Sequence, residues 1–213
     1  MATRSRSGLL LPIFVAVGIV AVVGIGPIKS AVDDMLGGVT GYDTVVLGEG
    51  EATLMVTESA APNLEDCTVD SILATKQCGE IKLVILDAAK MPFIGRNISS
   101  AWGEGKDFQL HRDTPQSRRA KWSASCGSFT RSYPLGSCDE YPFASSQEGG
   151  AGARTEEVPD REQSCQGGTI SRAYALQKIS VGDEYLVGIA HPDRIAAEPY
   201  AGVDIAKDAS CAS

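Results

Sequence analysis

The chain has 213 residues, enough for one ordinary domain together with a targeting segment and a spacer. Its net charge of −8 argues against a protein that is basic throughout, as many nucleic-acid-binding domains are. Bases nevertheless outnumber acids between Arg96 and Arg131, so a local patch there can hold a polyanion or simply form a solvated face.

The amino terminus carries the clearest targeting signal. Arg4 and Arg6 precede an uncharged, mostly apolar run from Leu9 to Ile28. The run is long for the core of a signal peptide and just long enough to span a bilayer, so both a signal peptide and a membrane tether stay open. We assign residues 1–31 to this segment and expect the rest of the chain to be exported.

Residues 32–62 are rich in glycine and acidic side chains. Thr44–Leu47 and Ala52–Thr57 each resemble a short strand, but neighbouring glycines weaken both assignments. We interpret residues 32–62 as a spacer or a loosely attached hairpin. The folded domain is predicted to begin near Asn63 and to extend over residues 63–213.

An even number of cysteines in an exported chain predicts three disulfides, with fifteen possible pairings. Short loops favour the first with the second and the third with the fourth, leaving the last two to pair. No Cys-x-x-Cys occurs and the chain has only two histidines, which argues against structural zinc. The six are Cys67, Cys78, Cys126, Cys138, Cys165 and Cys211.

Two apolar, β-branched runs, Ile81–Leu86 and Tyr185–Ala190, predict buried strands. Asn97-Ile98-Ser99 fits a glycosylation sequon, and the glycines within 102–108 predict a loop. The basic stretch from His111 to Trp122 is predicted to be a loop or short helix. Arginine and lysine beside an aromatic ring are residues that grip phosphates and stack on bases.

The segment from Cys138 to Gly150 carries three carboxylates, Asp139, Glu140 and Glu148. Carboxylates held on a rigid turn suit a hard divalent cation, and a spare one can take a proton from water. Metal-assisted hydrolysis is therefore the first hypothesis, and a solvated polar turn is the alternative. A strand ended by Pro159 and a helix that starts near Asp160 and resumes at Arg172 are predicted to follow.

The order of these parts is familiar. The motifs are paired arginines, then Cys-Asp-Glu-Tyr-Pro-Phe-Ala and Glu-Gly-Gly, a strand to Val-Pro, a polar segment ending in Gln-Gly-Gly, and a strand that begins with Gly-Asp. The order of the motifs resembles that of the NucA/NucB family of secreted deoxyribonucleases. The resemblance covers roughly Asn63 to Ile195, and its most specific part is Asp139 to Gly150. It implies an α+β fold: a small mixed domain with a ββα-metal finger and a short antiparallel sheet, stapled by disulfides.

The resemblance also implies a mechanism. Asp139 would be the general base, Glu140 would orient the turn, and Mg²⁺ or Mn²⁺ would neutralise the developing charge. Metal contacts would come from Glu148, Glu162 and Gln163. The DNA phosphates would be held by Arg112, Arg118, Arg119 and Arg154, without sequence preference.

One departure bears on activity. Family members often have asparagine where this chain has Gln163, and a longer arm changes how that amide reaches the ion. The leading hypothesis is a secreted or membrane-tethered, metal-dependent, non-specific endodeoxyribonuclease. A catalytically weakened DNA-binding module and a disulfide-stapled structural domain are the alternatives. The sequence identifies no inhibitor partner.

Overall fold

The computed structural model describes residues 41–211 of the chain. The predicted apolar segment 9–28 and the boundary at residue 31 lie outside the described residues. The described part contains eight strands and four α-helices, and none of these helices is long and apolar enough to cross a membrane.

A six-stranded sheet is the centre of the domain. Its strands are β1 (Thr44–Glu49), β2 (Ala52–Thr57), β3 (Gln77–Cys78), β4 (Ile81–Asp87), β5 (Gln109–His111) and β8 (Glu184–Ala190). The strand order is β1-β2-β8-β4-β3, with β5 also paired to β8. The two predicted core strands, β4 and β8, lie side by side and are parallel, whereas the other pairs are antiparallel. A strand that is buried on both faces has a nearly continuous run of apolar residues, which explains the sequences of β4 and β8.

Residues before Asn63, the predicted start of the domain, take part in the central sheet. β1 and β2 form a hairpin, and β2 pairs with β8 through Leu54↔Ala190 and Met55↔Ile189. Leu54 and Val56 have no exposed surface. The described part of the predicted spacer therefore belongs to the folded domain, because its apolar side chains complete the core.

The two faces of the sheet carry different layers. One face packs against α1 (Val69–Thr75), whose first turn is capped by the Thr68 hydroxyl accepting a hydrogen bond from Ser71 N. The other face packs against α2 (Pro92–Gly103) and α4 (Asp160–Leu176). Trp102, assigned to a loop from its glycine neighbours, is fully buried near the end of α2.

A separate two-stranded unit leads into α4. β6 (Gly136–Tyr141) and β7 (Arg154–Pro159) pair antiparallel from Gly136↔Pro159 to Tyr141↔Arg154. Pro159 ends β7, and α4 follows at once as one continuous helix rather than the interrupted helix expected from its Gly-Gly pair. Hairpin and helix together form the ββα unit, and the predicted α+β class is confirmed.

Three disulfides join these layers, and all three pairings expected from loop length are present. They are Cys67–Cys78, Cys126–Cys138 and Cys165–Cys211. The second joins β6 to α3 (Arg118–Cys126), and the third ties the carboxy-terminal segment to α4. Three such bonds are typical of an oxidising, extracellular environment.

Candidate active site

An open groove of ≈ 680 Å³ lies between α3, α4 and the loop that follows β6. Its walls bring together the basic stretch, one carboxylate of the β6 motif and the amides of α4. The residues most relevant to chemistry are Arg112, Arg118, Arg119, Trp122, Glu140, Gln163 and Gln166. Residues far apart in sequence therefore meet in one place.

Helix α3 is held rigidly along one wall of the groove. Lys121 Nζ donates to the carbonyl oxygens of Ser146 at 2.7 Å and Gln147 at 2.8 Å. It also pairs with Asp113 at 2.6 Å. The Cys126–Cys138 bond fixes the end of the helix to β6. The same helix carries Arg118 and Arg119, which line the groove.

Three of the four arginines predicted to bind phosphate line this groove. Arg118 and Arg119 are exposed on α3, while the Arg112 guanidinium lies 4.8 Å from the centre of the Tyr174 ring. Arg154 does not belong to the set. It binds Glu104 at 2.9 Å and Glu156 at 2.6 Å on the other side of the hairpin, so its charge is already neutralised.

Asp139 and Glu140 point to opposite faces of β6, as alternate residues of a strand must. Glu140 lines the groove, and its Oε1 accepts a hydrogen bond from Ala144 N at 3.2 Å. Burial raises the pKa of Glu140 to about 7, although the Ala144 N–H and the charge of Arg118 oppose the rise.

Asp139 lies behind the strand and has no exposed surface. Asn97 Nδ2 of α2 donates to its Oδ2 at 2.7 Å, while Oδ1 accepts no hydrogen bond from the described residues. Burial, reinforced by the charge of Glu140, raises the pKa of Asp139 well above its ordinary value, and the Asn97 and Gln166 amides oppose this rise.

Glu162 faces away from the groove and caps helix α2. Its Oε2 accepts hydrogen bonds from Phe93 N at 3.0 Å and Ile94 N at 3.1 Å, two of the amides that have no partner within a helix. Burial raises the pKa of Glu162 to about 8, and the Ile94 N–H opposes that rise. Gln163, the next residue, lines the groove instead, and its Oε1 is buried without a partner in the described chain.

Glu148 is also engaged elsewhere. Its two oxygens accept from His111 N at 3.0 Å and contact His111 Nδ1 at 2.8 Å. The pair ties the loop after β6 to β5. The predicted metal ligands Glu148, Glu162 and Gln163 are therefore not brought together: one binds β5, one caps α2 and only Gln163 reaches the groove.

Within residues 41–211, no cluster of three or more His, Cys, Asp or Glu side chains is placed to hold a metal ion. Glu140 and Gln163 nevertheless both line the groove, and the buried Gln163 Oε1 has no hydrogen-bond partner among the described residues. Both are hard oxygen donors, and Mg²⁺ commonly keeps several waters while binding one or two protein carboxylates. These residues fit a largely hydrated divalent ion.

Two residues of this region were not predicted as part of the site. Asn97 was noted only as a sequon, yet its side chain is fully buried between Asp139 and Arg154, where an attached glycan has no room. Gln166 lines the groove and lies beside Asp139. A polar residue on a face of α4 that also carries Cys165 and Ile170 was the available signal.

Residues 98–188 match the model of the family described as Deoxyribonuclease NucA/NucB. The chain carries a NucA/NucB domain. The match begins within α2, ends in β8 and includes α3, the β6–β7 hairpin, α4 and every lining residue of the groove named above. The match of this domain to NucA/NucB implies a deoxyribonuclease, an enzyme whose substrate is DNA. A search of curated proteins gave no match to the chain.

Proposed function

We propose that the protein is a secreted, divalent-metal-dependent endodeoxyribonuclease with little sequence preference. One observation carries the proposal: the groove of the NucA/NucB domain holds three arginines beside Glu140 and Gln163. Cations that contact phosphates position a strand without reading its bases, so the same groove can accept any sequence.

In this proposal, Arg112, Arg118 and Arg119 hold the phosphates, and Glu140 with Gln163 would hold Mg²⁺ or Mn²⁺. A bound ion of this kind supplies charge neutralisation at the scissile phosphate and at the leaving oxygen. The arginines place the phosphate against the groove wall formed by α3. The buried Ala144 N–H keeps Glu140 in position.

Asp139 remains the proposed general base. Within residues 41–211 no hydrogen bond of good geometry reaches Asp139 Oδ1, although the Gln166 amide is near enough to lower the Asp139 pKa, whereas Ala144 N occupies Glu140 Oε1. Gln166 lines the groove and also lies beside Asp139. In this proposal the Gln166 amide shifts so that water comes within hydrogen-bond distance of Asp139.

The test is digestion of plasmid DNA by the full chain with Mg²⁺, Mn²⁺ or EDTA. Asp139→Asn is expected to lower the cleavage rate at least 100-fold, on the order of the contribution of a general base. Glu140→Gln is expected to raise the metal concentration needed for half-maximal activity. Full activity of Asp139→Asn would remove it as the base, and cleavage in EDTA would refute metal dependence.

A weakened DNA-binding module is the second candidate, because Gln163 stands where members of the NucA/NucB family often have the shorter asparagine. DNA binding without metal-dependent cleavage would support the module. Restored cleavage in Gln163→Asn would identify the longer side chain as the cause.

A further inference from the structure

Trp122 is an unusually exposed aromatic residue at the groove. Its side chain is 42% exposed, whereas Trp102, the other tryptophan of the chain, is fully buried. An exposed tryptophan leaves a large apolar surface in water, and such surfaces inside a cleft mark places where a ligand binds. Leu176, by comparison, is 75% exposed but does not line this groove.

The surroundings of Trp122 indicate the kind of ligand. Arg118 lies one helical turn before it, on the same side of α3, and Arg119 lines the groove as well. No carboxylate of residues 41–211 forms an ion pair with either guanidinium. Alternating cations and aromatic rings bind unpaired strands, because the cations hold phosphates while the ring stacks on a base.

The helix that carries Trp122 is anchored before any ligand arrives. Lys121, the preceding residue, is held by two carbonyl oxygens of the loop after β6, and Cys126 anchors the end of the helix. A ring on a rigid helix loses little conformational freedom when a base stacks on it.

The size of the groove also restricts the ligand. Its volume of ≈ 680 Å³ falls in the range of roughly 300–1,000 Å³ typical of sites for small molecules. A groove of this volume accommodates a short stretch of a single strand. The face of a base within a duplex is covered by its stacked neighbours and becomes available only when the base leaves the stack.

We infer that Trp122 is a base-stacking residue and that the groove binds DNA with unpaired bases more tightly than intact duplex. The inference rests on the proposed function, because it takes DNA to be the ligand of this groove. It adds a substrate class: single-stranded DNA and locally melted segments.

The full chain, kept in EDTA so that bound DNA stays intact, is titrated with an oligonucleotide, its duplex and an abasic strand of equal length. Binding is followed by anisotropy of a label on the DNA and by tryptophan emission. Because Trp102 is buried, quenching reports Trp122. We expect the single strand to bind tighter and to quench, and the abasic strand to bind without quenching.

Trp122→Ala is expected to weaken single-strand binding roughly 5- to 150-fold, the effect of losing one stacked base. Trp122→Phe should retain most of the affinity, and Leu176→Ala should change nothing. Abasic-strand binding should be the same for Trp122→Ala and the unaltered chain, since only phosphates are contacted.

Equal affinity for single strand and duplex, or equal weakening of all three ligands by Trp122→Ala, would overturn the inference. A different result would contradict the proposed nuclease activity. The plasmid would then stay intact with every metal, while the chain would still bind the single strand more tightly than the duplex.

Discussion

At the scale of single residues, the β6 motif divides its neighbouring carboxylates between two environments. Glu140 faces the groove with its arginines, and Asp139 faces the buried side with Asn97. Both carboxylates have raised pKa values because both are desolvated. Adjacent residues of one strand thus supply two buried carboxylates, one bordering the groove and one on the opposite face, and the two can have different tasks.

Arg154 and Arg119 provide a first residue-scale prediction. Arg154→Ala is expected to destabilise the fold by about 1–3 kcal/mol, because it leaves the half-buried Glu156 without one of its two cationic partners. The DNA affinity of the Arg154→Ala variant should be unchanged. Arg119→Ala should instead weaken DNA binding and reduce the slope of log K against log salt by about 1.

Urea denaturation and DNA titrations at several salt concentrations measure both effects. A lower salt slope in Arg154→Ala would return Arg154 to the phosphate-binding set and contradict its assignment to the fold.

Glu162 provides a second prediction at the scale of single residues. Glu162→Ala leaves the amides of Phe93 and Ile94 without their acceptor and should cost about 2–4 kcal/mol of unfolding free energy. Glu162→Gln keeps an acceptor oxygen and should recover most of that loss. It should also cleave DNA at the same metal concentration as the unaltered chain.

Denaturation curves and metal titrations of the two variants decide the role of Glu162. If Glu162→Gln needs much more metal for cleavage while its stability is retained, Glu162 contacts the ion and is more than a cap.

At the scale of elements, the strands were more predictable than the helices. β4 and β8 were recognised because buried parallel strands are continuous apolar runs. Helix α2 was not predicted because it contains two glycines, Gly95 in its first half and Gly103 at its last position. Gly95 is used for close packing, since a Cβ there would lie 3.2 Å from Ile195. No local pattern reveals a tertiary contact of this kind.

The site follows the same division. The basic stretch and the β6 motif were identified from residue type, and the structure brings them to one groove. Glu148 accepts a hydrogen bond from a residue 37 positions away, and Glu162 from one 68 positions away. Local sequence patterns do not reveal hydrogen bonds over such distances along the chain.

The disulfides allow a prediction for element α3. Replacing Cys126 and Cys138 with serine should cost about 2–4 kcal/mol of stability and also lower DNA cleavage, because α3 carries the groove arginines. Replacing Cys67 and Cys78 is the matched control. The Cys67–Cys78 bond spans 11 residues of sequence and the Cys126–Cys138 bond spans 12, so removing either should cost a similar amount of stability. The variant without Cys67–Cys78 should still cleave DNA.

Both double variants are compared by denaturation and by plasmid digestion below their unfolding transitions. An equal loss of cleavage in the two would show that α3 needs no covalent anchor to present its arginines.

At the scale of the whole molecule, the NucA/NucB match covers less than the packed domain. The match spans 98–188, but β8 pairs with β2, which lies before it, and the segment after β8 packs on α2. Phe93 and Tyr200 stack edge to face at 5.4 Å, and Ala196 N donates to Pro92 O at 3.1 Å. The matched residues are therefore packed within a larger domain that includes segments on both sides of the match.

The fragment from Asn63 onward tests this organisation. It lacks β1 and β2, so Gly188 and Ala190 of β8 lose the cover of Leu54 and Val56, and one edge of β8 loses its backbone partners. Removing even one such buried side chain costs about 2–5 kcal/mol, which approaches the total stability of a small domain. We expect the fragment to aggregate or to unfold without a cooperative transition, whereas the full chain unfolds cooperatively in urea. A fragment with the same midpoint and slope as the full chain would show instead that the first hairpin is the loosely attached unit that its glycines suggest.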